Sequence, residues 1–113
     1  MHASHVLSVV VLAGAAHALA VRNKHVADFR LFGEQDCYRQ NQGIWTVIDD
    51  DFRADECKTL GGSLPRSIRN VDMNGGCTLS FYTDDDCTAG RTECAAGQCC
   101  ISAEGWRAWS MRC

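Results

Sequence analysis

Apolar and polar residues alternate most cleanly from Thr78 to Thr83. Leu79 and Phe81 point to one side, and Thr78, Ser80 and Tyr82 to the other, a period of two that predicts a half-buried strand. Before it, Ser67–Val71 carries β-branched Ile68 and Val71, and Asn74-Gly75-Gly76 supplies a turn because those residues accept positive φ. Ile44-Trp45-Thr46-Val47-Ile48 is rich in β-branched residues and reads as another strand. Cys99-Cys100-Ile101-Ser102 reads as a short one. Trp106–Cys113 reads as the last, with Trp106, Ala108 and Ser110 on one face and Arg107, Trp109 and Met111 on the other. Asp49–Cys57 reads as a short helical turn or a loop. Lys58–Arg66, with Gly61-Gly62 and the lone proline Pro65, is a connection.

One piece of this pattern occurs twice. Phe29–Cys37 lies over Leu79–Cys87 without a gap, at a constant offset of 50 residues, as from Cys37 to Cys87. Apolar residues match at three positions, aromatic Phe32 matches Tyr82, and the Asp-Cys pair is identical. Two copies of a strand-and-corner unit are expected, since one unit alone cannot bury its apolar face. The fold class is all-β: a small, disulfide-stapled, two-motif Greek-key sandwich. The alternative is a small α/β disulfide-rich, toxin-like sandwich.

The run Val6–Ala16 breaks the pattern. It is apolar without a period, has the length of a signal-peptide core, and is too short to span a bilayer. Ala18-Leu19-Ala20 offers a small-x-small cleavage site. Residues 1–20 are expected to be a signal peptide, 21–28 a flexible N-terminal arm, and 29–113 one disulfide-rich β domain. Cleavage after Ala20 leaves 93 of the 113 residues. All eight cysteines fall there: Cys37, Cys57, Cys77, Cys87, Cys94, Cys99, Cys100 and Cys113. An even count behind a signal sequence predicts four disulfides in an oxidising compartment, each contributing about 2–4 kcal/mol. Eight cysteines allow 105 pairings, and the sequence selects none. Adjacent Cys99 and Cys100 point to opposite faces of a strand, so they should bond to different partners.

The net charge of −3 belongs wholly to the chain after Ala20. It counts against nucleic acid or an anionic membrane surface as partner. Metal and cofactor are not expected, because Cys-x-x-Cys pairs are absent and His25, the single histidine after Ala20, precedes every cysteine. Asp49-Asp50-Asp51 and Asp84-Asp85-Asp86 read as solvated loop charges, with weak calcium binding the alternative. An enzyme is not expected. His25 has no Ser or Cys partner in the pattern, and nothing singles out a carboxylate pair such as Asp51 with Asp85. Trp45, Trp106 and Trp109 are the candidate anchors, with core packing expected for two of them. Odd spacing puts Trp106 and Trp109 on opposite faces, so one should be exposed. The candidate binding residues are therefore Trp106, Arg107, Trp109 and Arg112.

Ser67-Ile68-Arg69-Asn70-Val71, Gly75-Gly76-Cys77, Leu79–Asp84 and Gly90-Arg91 resemble the Greek-key motif of βγ-crystallin-like domains. Trp109-Ser110-Met111-Arg112 resembles the closing strand of a second motif. The resemblance implies a two-motif build. Phe32 lacks a clear counterpart of Gly90, and the cysteines are additional to the motif. That family often binds calcium just before the closing strand, but Gly62–Arg66 and Gly105–Trp109 carry no carboxylate there. The whole chain is also similar to the small cysteine-rich proteins that filamentous fungi secrete, many of them candidate effectors. The implied function is a secreted, monomeric binding protein that recognises an extracellular protein or glycan of a host or competitor. The alternatives are an antimicrobial or killer-toxin-like protein, and a protease inhibitor or small hydrolase. Gly61–Arg66 is the one loop suited to an inhibitor.

Overall fold

The computed structural model describes residues 24–113. The signal-peptide expectation over 1–20 lies outside them. The strands are β1 (His25–Phe32), β2 (Asn41–Ile48), β3 (Lys58–Thr59), β4 (Ser67–Met73), β5 (Thr78–Tyr82), β6 (Thr92–Glu93), β7 (Cys99–Ile101) and β8 (Ala108–Arg112). The one helical segment among the described residues is a 3₁₀ turn, Asp49–Asp51, in which the Asp51 carboxylate accepts the Ile48 N–H at 2.9 Å. The all-β expectation holds, and the α/β alternative does not.

Two four-stranded antiparallel sheets pack face to face. Sheet A runs β2-β1-β4-β7, and sheet B runs β3-β8-β5-β6. Moving every strand of sheet A four places along the chain gives β6-β5-β8-β3, which is sheet B read from its other edge. Each half of the chain is thus a Greek-key unit whose fourth strand returns beside its first. Its third strand lies in the sheet of the other unit.

The repeated corner is real in three dimensions. Cys37 (φ 51°) and Cys87 (φ 58°) both adopt the left-handed conformation. Gly33 N donates to Gln40 O at 2.8 Å, and Thr83 N to Ala89 O at 3.0 Å. The missing glycine after Phe32 has a physical explanation. Two backbone positions approach closely in each corner, leaving room for one side chain. In the second corner Gly90 is the bare position, and a Cβ there would lie 2.6–3.2 Å from the Thr83 side chain. In the first corner the roles are exchanged: Gly33 is bare and the Gln40 side chain lies over it. Gly90→Gln alone should therefore destabilise by about 1–3 kcal/mol. Adding Thr83→Gly, which copies the first corner, should recover most of that loss. Additive penalties in urea unfolding would refute this account.

Two of the four disulfides obey the same symmetry. The bridges join Cys37–Cys99, Cys57–Cys87, Cys77–Cys113 and Cys94–Cys100, leaving no free cysteine. Cys37 and Cys87 occupy equivalent corners. Cys99 opens β7, and Cys57 immediately precedes β3. Each of these two bridges therefore ties a corner of one unit to the strand received from the other. Cys99 and Cys100 do bond to different partners, as their opposite facing requires.

The expected arm over 21–28 is corrected from residue 25 onward. His25–Asp28 is the start of β1, with Val26 and Ala27 buried. Their adjacency hid the strand from a period-two reading, because β1 changes register here against both neighbours. Phe29 from β1 stands at the core centre. It meets Phe81 edge-on at 5.1 Å and Trp109 at 6.0 Å from sheet B, and stacks on Trp45 at 6.0 Å.

Candidate functional site

The four binding residues expected from the sequence do not form one site. Trp106 and Trp109 are both in the core, 2% and 1% exposed. Strand alternation starts at Ala108, so it does not govern Trp106. The chain reaches Trp106 through Gly105 (φ 90°), and the indole N–H donates to Cys100 O at 3.1 Å. The half-buried tryptophan is Trp45 on β2. Arg107 and Arg112 are exposed but lie apart. Arg107 faces Asp85 at 4.0 Å beside a cavity of about 120 Å³ that Gly62 and Leu64 also line. Arg112 binds Asp55 through Nε at 3.0 Å, next to Thr78, Ser80 and Ser110.

The acidic runs are largely committed to turns. Asp84 accepts the N–H groups of Thr88 and Ala89 at 3.0 and 3.1 Å, and the Thr88 hydroxyl holds its carboxyl below the ordinary range. Asp49 accepts Lys24 N at 3.2 Å. Asp85, the carboxylate considered with Asp51 for acid–base work, is turned to Arg107 instead.

The outer faces of the two sheets differ at equivalent positions. In sheet A, Arg30 is the ladder partner of Ile44 on one side and Arg69 on the other, and Arg69 is the partner of Cys99. Ladder partners share a face, so two arginines stand directly opposite each other in the outward row. At the same places in sheet B stand Ser80 and Ser110, also ladder partners. There Ser110 Oγ meets Tyr82 OH at 2.9 Å in a buried contact. Sheet B thus has small neutral side chains at these two places, beside the paired Arg112 and Asp55. Sheet A leaves Arg30 and Arg69 exposed, and neither enters an ion pair among the described residues. Arg69 is steadied by one hydrogen bond, from its Nη1 to Gly97 O at 2.9 Å. Ile44, Val71 and Ile101 on the same sheet are 50%, 44% and 52% exposed. The next row of the β1–β4 ladder on this face carries Asp28 and Asp72.

A cationic pair with no ion-pair partner is suited to bind anionic groups. Its guanidinium forks offer charge-assisted, bidentate hydrogen bonds. No known protein family, curated protein or solved structure matches the chain. The outer face of sheet A is therefore chosen on geometry. Alternation in Phe29-Arg30-Leu31 and Ile68-Arg69-Asn70 does turn each arginine outward. That the two face each other depends on the pairing of β1 with β4, which residues far apart in the chain decide.

Proposed function

We propose that this protein is a secreted binding module that recognises an extracellular protein or glycan through the outer face of sheet A. The observation that carries this reading is the exposed Arg30–Arg69 pair, without a carboxylate partner, on a chain whose net charge is −3. Like charges directly opposite on a ladder cost stability, and a bound anion would offset that cost. Secretion is supported by the apolar run Val6–Ala16 and by the pairing of all eight cysteines. The likeness to βγ-crystallin-like domains is supported by the build from two Greek-key units. The likeness to fungal effector proteins is supported by size and cysteine content, with recognition of a host or competitor molecule as its implied role.

The test uses the secreted protein and the double variant Arg30→Glu/Arg69→Glu, with circular dichroism as the folding control. Both are applied to host extracellular fluid and to an array of acidic and neutral glycans. Wild type should retain a partner whose binding weakens as salt rises, and the variant should bind it at least about tenfold more weakly. Equal retention of every partner by the two proteins would remove the arginine face from consideration.

A further inference from the structure

His25, the residue assigned to a floppy arm by sequence, lies beside two carboxylates. Its Nε2 is 2.8 Å from Asp28 Oδ2. Asp72 of β4 is the ladder partner of Asp28 of β1, so both carboxylates stand on one face of sheet A. One donor atom from each of His25, Asp28 and Asp72 lies within 4.8 Å of the others.

Three features distinguish this group from loop acids. Its members stand on paired strands, which hold side chains more precisely than loops do. Neighbours outside the group fix two of them. The Thr46 hydroxyl from β2 donates to Asp28 Oδ1 at 2.7 Å, the kind of outer hydrogen bond that orients a ligating carboxylate. Asn74 donates its side-chain N–H to His25 O at 2.8 Å and its backbone N–H to Val26 O at 2.9 Å, so the histidine backbone is clamped. Finally, neither aspartate pairs with a lysine or arginine among the described residues. The Thr46 hydroxyl, and then His25, hold the Asp28 carboxyl below its ordinary range.

We propose that His25, Asp28 and Asp72 form a site for a divalent transition-metal ion, with zinc the best match. One imidazole nitrogen and two carboxylates suit a borderline ion, and water completes a four-coordinate shell. Calcium prefers six to eight oxygen ligands, and this set has a nitrogen and too few oxygens. On binding, the imidazole is neutral with its proton on Nδ1. Nε2 turns from Asp28 to the ion, and both carboxylates ligate as anions. The ion bridges β1 to β4 and relieves the repulsion between the two aspartates. The site lies on the same outer face of sheet A, in the ladder row next to the arginine pair. It uses neither arginine, so its failure would leave that reading standing.

The full chain is expressed, and the secreted protein is titrated with zinc chloride by calorimetry and by NMR of the His25 ring. The expected result is one zinc per chain, a shift of the His25 ring signals and a rise in the melting midpoint. Asp72→Asn and His25→Gln should each weaken binding about tenfold or more. Both lie at exposed positions, so their metal-free melting midpoints should stay close to wild type. Calcium chloride should produce no shift of the His25 ring. The proposal is overturned if zinc does not bind, if it binds equally well to both variants, or if calcium binds in preference.

Discussion

Trp109→Ala is expected to remove about 3–5 kcal/mol of folding stability. For a domain of this size, that lowers the melting midpoint by roughly 15–30 °C. The indole is 1% exposed and is packed edge-on by Phe29 at 6.0 Å, Trp45 at 6.4 Å and Phe52 at 6.3 Å. Truncation would leave a cavity that two rings on the facing sheet and one on a loop cannot close together. Trp109→Phe should be far milder. It retains a ring, and it removes an indole N–H that is buried without a hydrogen-bond partner. Chemical denaturation of the two variants separates core packing from the surface-anchor role expected from the sequence. An anchor would lose binding on truncation and keep its melting midpoint.

Removing Cys37–Cys99 by paired alanine substitution is expected to cost about 4 kcal/mol, against about 2 kcal/mol for Cys94–Cys100. The difference follows from chain entropy, because the first bridge closes a sequence separation of 62 and the second one of 6. Cys57–Cys87 and Cys77–Cys113, with separations of 30 and 36, should fall between them. The two symmetric bridges should also show a local signature. β7 and β3 are only three and two residues long. Amide exchange should therefore rise in β7 when Cys37–Cys99 is lost, and beside β3 when Cys57–Cys87 is lost. Equal midpoints for the longest and shortest bridges would show that native contacts, rather than the unfolded chain, set the stabilisation.

Both expectations depend on features with different visibility in the sequence. The strand at Thr78–Tyr82 was legible because its alternation is local. So was the repeated corner, because Phe29–Cys37 lies over Leu79–Cys87 without a gap, although the interchange of Gly33 and Gln40 with Thr83 and Gly90 hid the glycine match. β1 was only partly legible, since adjacent buried Val26 and Ala27 do not alternate. Trp106 was misread because a left-handed glycine, rather than a strand, aims it. Its burial depends on Cys100 O, which arrives from another strand to receive the indole N–H.

The candidate sites were hidden for a related reason. Arg30 and Arg69 are 39 positions apart in the chain. Asp28 and Asp72 are farther apart still, and a shift of one residue between β1 and β4 would separate each pair onto opposite faces. The His25–Asp28 contact was hidden because this stretch read as an arm rather than a strand, and Asp72 joins it only from β4.

By itself, the sequence determined an all-β chain, a duplicated corner and enough cysteines for four cross-links, because each is written in local spacing or in a count. The tertiary structure alone decided which cysteines pair, which tryptophans are buried and which charges meet. Those outcomes depend on strand register and on the exchange of β3 and β7 between sheets. Both are fixed by contacts between residues that no local pattern brings together.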